Sequence, residues 1–197
     1  MRRRLALLPA IAMIAACGEA LPLPQPRAER AASVAHAMCQ LGFASAPIEK
    51  LRTGHQAVDV VLNGQPGFFI LDTGANASAV HAGAAEQFEL GRLPVGGSAV
   101  GLGGAMPARL SLVREFRIGD VPTGQRTIAV ADLAQLLSFL GAKSERPILG
   151  IVGQDVLTRR NAVIDVAGGR LYLLVERRGR DDPPPVCEAV AGEDAPA

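Results

Sequence analysis

The sequence is poor in aromatic residues and carries almost no excess of either charge. It has no Trp, one Tyr and six Phe among 197 residues, and its Lys, Arg, Asp and Glu sum to a net charge of +1. Proteins that bind nucleic acid need a positive field against the phosphates and aromatic platforms for the bases. Both are missing here, so we expect no nucleic-acid partner.

Three further kinds of chemistry lack the residues that they need. His36, His55 and His81 have no metal-ligand spacing and no cysteine pair beside them, which argues against a zinc site. The segment GLGGAM has Met106 in place of the last glycine of G-x-G-x-x-G, and it lacks the Lys-Ser/Thr of a phosphate loop. No G-x-S-x-G motif surrounds Ser78. We therefore expect no metal and no cofactor, and a serine hydrolase is disfavoured.

What the sequence does contain begins with an export signal at residues 1–16. Three arginines precede an apolar run that is too short to span a bilayer as a mature helix. The run ends in Ile14-Ala15-Ala16-Cys17, which resembles the lipobox of bacterial lipoproteins and implies lipidation of Cys17. Gly18 follows, and by the same resemblance a residue other than Asp there favours the outer membrane over the inner, on the periplasmic side of the envelope. The alternative is an ordinary secretory signal with an incidental cysteine.

Composition divides the remaining chain into three parts. Residues 17–37 are rich in proline and small polar residues, which predicts an extended tether. Residues 38–176 hold the apolar patterns of a folded domain, and 49% hydrophobic content over the whole chain is enough for a core. Residues 177–197 are poor in core residues, which predicts a loose tail.

Two cysteines remain once Cys17 is set aside. Cys39 and Cys187 lie just outside the two ends of the predicted domain. Disulfides persist in exported proteins, so we expect these two residues to pair. The alternative is two free thiols in loose segments.

Short strands dominate the pattern of the domain. Val58, Val60 and Leu62 alternate ahead of an Asn-Gly turn and the apolar run FFIL, which predicts a hairpin that delivers Asp72 at its far end. Further strands or hairpins are predicted in SAVGLGGAMPARLSLVREFRIG, QRTIAVAD and NAVIDVAGGRLYLLVE, and short helices in HAGAAEQFEL, LAQLLSFLG and after Gly153. The predicted fold class is all-β with one or two short helices.

The segment FILDTGANASAV admits two interpretations. In the first, this strand simply ends in a turn, because Asp72 and Gly74 are common turn residues. Alternatively, Asp72 is presented at the end of a buried strand for acid-base chemistry. The rest of the chain is needed to decide between the two interpretations.

The order of four elements resembles the retropepsin-like aspartic proteases in their bacterial single-domain form. These elements are Asp72-Thr73-Gly74-Ala75, a glycine-bearing hairpin, the segment IVGQDVL that begins at Ile151, and the final hairpin VIDVAGGRLYLL. The resemblance implies an acid protease barrel that is half of a pepsin-like fold. It also implies a flap over the substrate at Gly101, Leu102, Gly103 and Gly104, with Ala75 as a further substrate-binding residue.

Hydrolysis of a peptide by water needs two carboxylates that share one proton. The sequence has one Asp-Thr-Gly, because Thr-Gly does not follow Asp155 or Asp165. We expect Asp155 to cap a helix and Asp165 to face Arg170 across a hairpin. The second carboxylate would then come from a second copy, with Asp72 facing Asp72. In the family, Thr73 bonds across the two-fold axis, and Gly74 leaves room for the approach.

The sequence therefore predicts a lipid-anchored aspartic endopeptidase that acts on peptides or proteins as a homodimer. Its catalytic residues would be Asp72, Thr73 and Gly74. One alternative is the same fold kept as a catalytically silent module for peptide binding or assembly, since fold does not fix function. Another is a passive structural lipoprotein, which would leave the flap unexplained.

Overall fold

The computed structural model describes residues 27–93, 96–101, 104–140, 144–175 and 187. Within them the helices are α1 Arg27–Gln40, a 3-10 turn Ala82–Ala84, α2 Ala134–Leu140 and α3 Gln154–Arg159. The strands are β1 Phe43–Pro47, β2 Glu49–Lys50, β3 Gln56–Leu62, β4 Gln65–Leu71, β5 Ala79–His81, β6 Gly96–Gly101, β7 Gly104–Leu112, β8 Phe116–Ile118, β9 Val121–Pro122, β10 Thr127–Ala131, β11 Gly150–Val152, β12 Val163–Asp165 and β13 Arg170–Leu174. None of the described helices is long and apolar enough to cross a membrane.

These strands form two sheets. The large sheet has the order β6-β7-β10-β5-β11-β4-β3-β8-β9, with β2 paired to β3. Its neighbours are antiparallel except at two places, where β5 lies parallel to β10 and β4 lies parallel to β11. The small sheet has the antiparallel order β1-β13-β12. The mainly β architecture with short helices confirms the predicted fold class.

The hairpin β3-β4 brings the chain to Asp72. The buried residues Val58, Val60 and Leu62 alternate along β3, as the sequence predicts. Asn63 has φ of 53° and Gly64 has φ of 83°, so both central residues of the turn adopt the left-handed conformation that a tight hairpin needs. Strand β4 then ends at Leu71, immediately before the Asp-Thr-Gly turn.

The large sheet buries apolar residues on both faces. On β4, Phe69 and Leu71 belong to one core cluster, and Phe68 and Ile70 belong to another. Successive side chains of a strand point to opposite faces, so the clusters define a first face (Phe69 side) and a second face (Phe68 side). The second face carries Leu51, Ala57, Phe68, Ile70, Ala75, Ala79, Ala129, Ala131, Leu133, Leu137, Leu140 and Ile151. Alternation from Leu71 places Asp72 on this second face as well.

Helix α1 corrects one expectation. The sequence predicts an extended tether over residues 17–37, but residues 27–37 belong to α1. The last proline of the tether is Pro26, and five alanines follow within α1, so the local propensity turns helical where the prolines stop. The boundaries of signal, tether, domain and tail otherwise stay predictions.

The predicted disulfide between Cys39 and Cys187 is confirmed. The two Cα atoms are 5.7 Å apart, which is an ordinary distance for a disulfide. The bridge joins the end of α1 to a residue 148 positions later, so the tail is tied back to the domain at Cys187.

Candidate active site

The Asp72 turn is held by backbone bonds on its strand side. The Asp72 N–H donates to the Val152 carbonyl at 3.0 Å, which extends the pairing of β4 with β11 by one residue. The Gly74 N–H donates to Asp72 Oδ1 at 2.8 Å, and the Ala75 N–H donates to the Asp72 carbonyl at 3.3 Å. Asp72 is half-buried, whereas Thr73 and Gly74 are exposed. One carboxylate oxygen is therefore oriented by the turn that presents it.

The start of α3 clamps the other side of the turn. The Gln154 N–H donates to the Ala75 carbonyl at 2.8 Å, and Gln154 Nε2 donates to the Thr73 carbonyl at 2.9 Å. A Cβ at Gly153 would lie 2.6 Å from the carbonyl carbon of Ala77 and 2.7 Å from its oxygen, so only glycine fits there. The apolar pair and glycine from Ile151 thus pack against the Asp turn, as the resemblance implies.

Behind the turn, the buried Ser78 and the half-buried Asp155 form a hydrogen-bonded pair that sequence reasoning misses. The Ser78 N–H and Oγ donate to Asp155 Oδ1 at 2.8 and 2.7 Å, and the Gly153 N–H donates to Ser78 Oγ at 2.9 Å. Gln125 Nε2 donates to Asp155 Oδ2 at 2.9 Å. The pair ties the segment after the Asp turn to α3. Its members are 77 residues apart, so no local sequence signal could have identified them.

Asp155 has a structural role that differs from the predicted one, whereas Asp165 faces Arg170 across the hairpin as predicted. The N-cap of α3 is Gly153, and Asp155 lies in the first turn with its Oδ1 accepting from Ser78 and Val156. The predicted capping role is therefore wrong. Asp155 lies inside the helix, and its carboxylate accepts a hydrogen bond from the buried Ser78 hydroxyl. Asp165 is opposite Arg170, but its Oδ1 accepts from the Gly168 N–H at 2.7 Å and closes the hairpin turn.

The predicted flap is a hairpin of the large sheet. Strand β6 pairs with β7 from Gly96–Arg109 to Gly101–Gly104, which confirms the hairpin. Leu102 and Gly103 lie outside the described residues, as does Cys17. Strand β7 pairs with β10, and β10 lies beside β5, the strand that follows the Asp turn. The hairpin is thus connected to the turn through three neighbouring strands. Its role as a flap stays a prediction.

A cavity of about 250 Å³ opens beside the turn, on the side of α3. Its lining includes Thr73, Gln154, Leu157, Asn161 and Ile164. It therefore lies between the Asp72 turn and strand β12. Among the described residues, no group of three or more His, Cys, Asp or Glu side chains is arranged to hold a metal ion.

The geometry can be compared with known proteins. A family model described as aspartyl protease matches residues 58–156, half of the chain, and this range includes the Asp turn, the β6-β7 hairpin and the start of α3. The chain belongs to the aspartyl protease family. The resemblance to retropepsin-like aspartic proteases is thereby confirmed.

The chain is also similar to solved structures of aspartic proteases. A retropepsin-like aspartic protease from Rickettsia conorii is 18% identical with a TM-score of 0.44, and the match covers 66% of this chain and 90% of that one. EIAV protease, complexed with the inhibitor HBY-793, is 22% identical with a TM-score of 0.40, and the match covers 56% of this chain and 91% of that one. No curated protein matches the chain.

Proposed function

We propose that the protein is an aspartic endopeptidase in which Asp72 and its copy in a second chain form the catalytic dyad. Membership in the aspartyl protease family supports aspartic protease activity in general. The observation that carries the finer proposal is the Asp72 turn, whose carboxylate is oriented by the Gly74 N–H while its outer surface stays exposed.

Two facing carboxylates that share one proton supply both the base and the acid for hydrolysis. The ionised Asp72 takes a proton from water as the water oxygen attacks the peptide carbonyl carbon. The protonated Asp72 of the second copy gives its proton to the carbonyl oxygen, which forms a tetrahedral diol. The diol then collapses: the first Asp72, now protonated, gives its proton to the leaving nitrogen as the C–N bond breaks, and the second, now ionised, takes the proton of a diol hydroxyl. The dyad again holds one proton, and the products are a carboxylic acid and an amine. Such a dyad is active in one protonation state, so cleavage should follow a bell-shaped pH dependence.

Three features support a second copy as the source of the other carboxylate. The sequence contains one Asp-Thr-Gly, and Asp155 and Asp165 are bonded elsewhere. Thr73 and Gly74 are exposed, so the turn can approach its own copy. Strand β12 pairs only with β13 in the described part of the chain, which leaves one edge free beside the cavity. Val163 on this strand is 42% exposed.

We further propose that the enzyme is anchored to the periplasmic side of the bacterial outer membrane through a lipid on Cys17. The lipobox-like segment and the proline-rich stretch after it support this location. Its substrates would be peptides or proteins of the envelope. The wild type should fractionate with membranes, whereas Cys17→Ser should be released or remain unprocessed. A soluble periplasmic wild type with another mature N-terminus would contradict the anchor.

The alternative is a catalytically silent module that binds peptides or assembles in the envelope. A protein that stays monomeric would keep the fold and the hairpin, with Thr73 and Gly74 exposed, but it would have no dyad. A peptide library tested from acid to neutral pH separates the two. Cleavage by the wild type that disappears in Asp72→Asn supports the enzyme, and peptide binding without cleavage supports the module.

A further inference from the structure

Helix α2 lies on the same face of the sheet as Asp72. Leu137 and Leu140 of α2, with Leu133 just before it, pack into the apolar cluster of the second face. The same cluster contains Ala75 of the catalytic turn and Ile151 of the neighbouring strand. The helix and the turn therefore pack into one continuous apolar layer on the second face.

Both ends of α2 are fixed to the sheet. At its start, the Leu133 N–H donates to His81 Nδ1 at 3.1 Å, and the Ala134 N–H donates to Asp132 Oδ1 at 3.0 Å. At its end, Thr53 Oγ1 donates to the Leu140 carbonyl at 2.6 Å. The helix is thus a fixed part of the domain and not a free lid.

The chain that returns from α2 to β11 is held as well. The guanidinium of Arg146 stacks over the Phe68 ring, 3.8 Å from its centroid. The same group pairs with Asp59 and, at 3.7 Å, with Glu49. These contacts hold the segment around Arg146, which follows α2 in the sequence, against the domain.

The contact at Thr53 places the end of α2 near the catalytic turn. Strand β3 starts at Gln56, which pairs with Leu71, so the residues just before Gln56 lie at the sheet edge where Asp72 follows Leu71. Thr53 is in the tight turn that leads into β3, in which the Leu51 N–H donates to the His55 carbonyl. The carbonyl end of α2 is bonded to this turn and therefore reaches the same edge.

One flank of α2 is apolar and only partly covered by the domain, because Leu136 packs against the second-face cluster but Phe139 does not. Leu136 is half-buried, and Phe139 is 73% exposed. At about 100° per residue these two side chains are about 60° apart, on one side of the buried stripe. Gln135 and Ser138, which are polar and exposed, lie on the outer face of the helix, away from the buried stripe. The core therefore does not explain an aromatic residue at position 139.

We propose that α2 is a fixed wall of the substrate cleft and that Leu136 and Phe139 select the substrate side chain that lies against it. The inference rests on the proposed peptidase function, because that function places a peptide substrate on the second face, beside Asp72. Apolar surface at this place favours a large apolar side chain. Leu136 and Phe139 would then determine specificity without taking part in the chemistry.

The test uses the full chain and a peptide library in which each position carries either Ala or a large apolar residue. Phe139→Ala and Leu136→Ala should lower the ratio of kcat/KM for large over small side chains by about 10-fold or more at one position. Leu41→Ala is the matched control, because Leu41 is 68% exposed and follows α1, away from the second face. Its preference ratios should equal those of the wild type.

The outcomes separate this proposal from the proposed function. Cleavage with unchanged preference in both variants overturns the wall and leaves the peptidase standing. If the wild type binds peptides of the library but cleaves none, the peptidase fails, and the binding preferences of the same variants decide on the wall. A loss of the large-residue preference in binding supports it, and an unchanged preference overturns it. If the wild type neither cleaves nor binds any peptide of the library, both the wall and the peptidase are overturned.

Discussion

The two faces of the large sheet are built from different residues. The first face is filled by large apolar side chains, among them Phe69 and Phe88, whose rings meet edge-on with centroids 5.9 Å apart. The second face has alanine at several central positions, namely Ala57, Ala75, Ala79, Ala129 and Ala131. These small side chains let α2 pack close to the strands. The Asp72 turn contributes Ala75 to the same cluster. The first face thus holds the larger packed cluster, and the second face is the one on which the proposed function places the chemistry.

The sharpest contrast between the faces is at Asp72. Asp72→Asn should lower peptide cleavage by about 10²–10⁴-fold, because the amide fills the same space but cannot exchange the catalytic proton. The Gly74 N–H can still donate to the Asn oxygen, so the free energy of unfolding should change little. Cleavage assays and denaturant unfolding of the same sample measure both. Cleavage at the wild-type rate would remove Asp72 from the mechanism.

A change on the first face should have the opposite effect. Phe69→Ala should lower the free energy of unfolding by about 3–5 kcal/mol, because Phe69 is fully buried and its loss leaves a cavity. Below the unfolding temperature the remaining folded protein should keep its substrate preference. Denaturant unfolding provides the measurement, with Leu112→Ala as a control that should change stability by at most about 0.5 kcal/mol, since Leu112 is 61% exposed. Equal losses in the two variants would contradict the assignment of the core.

Filling the second face tests why it is built from alanine. Ala79→Leu should cost about 1–3 kcal/mol, because Ala79 is buried under the cluster that α2 completes. The larger side chain should also displace α2, so hydrogen exchange in residues 134–140 should become faster. Unchanged stability and exchange would show that the helix does not depend on small residues beneath it.

The smallest effect is expected at Asp155. Asp155→Asn should cost less than about 1 kcal/mol, because the Asn oxygen can still accept from Ser78. Its new NH₂ group can donate to Gln125 once that amide turns, since Gln125 Oε1 is buried and has no partner in the described structure. Asp155→Ala leaves Ser78 and Gln125 without their acceptor and should cost about 1–3 kcal/mol. Unfolding of the two variants side by side tests this order.

Local patterns predicted the elements whose causes are local. The Asn63-Gly64 turn, the alternation along β3 and the Asp-Thr-Gly-Ala sequence are each contained in a few residues, and the structure has them where the sequence indicates. The disulfide was predictable because two cysteines remained once Cys17 was assigned to the expected lipobox, and export was expected.

Long-range packing accounts for what the sequence did not predict. Ser78 and Asp155 are each ordinary polar residues until the chain brings them together. The second face is a row of alanines from separate strands, and single alanines give no signal of a shared surface. Helix α1 was missed because residues 17–37 were judged as one segment. The prolines in its first half, which end at Pro26, made the whole segment read as extended.

The central claim is that one active site uses Asp72 from two chains. The most direct test mixes wild type with a ninefold excess of Asp72→Asn, allows the dimers to exchange, and measures peptide cleavage with substrate in excess. If both copies contribute, only wild-type pairs are active, and activity per wild-type chain should fall to about one tenth. Asp72→Asn combined with Thr73→Arg, which obstructs the approach of a second copy, should leave the activity unchanged. Undiminished activity in the first mixture would contradict the shared site.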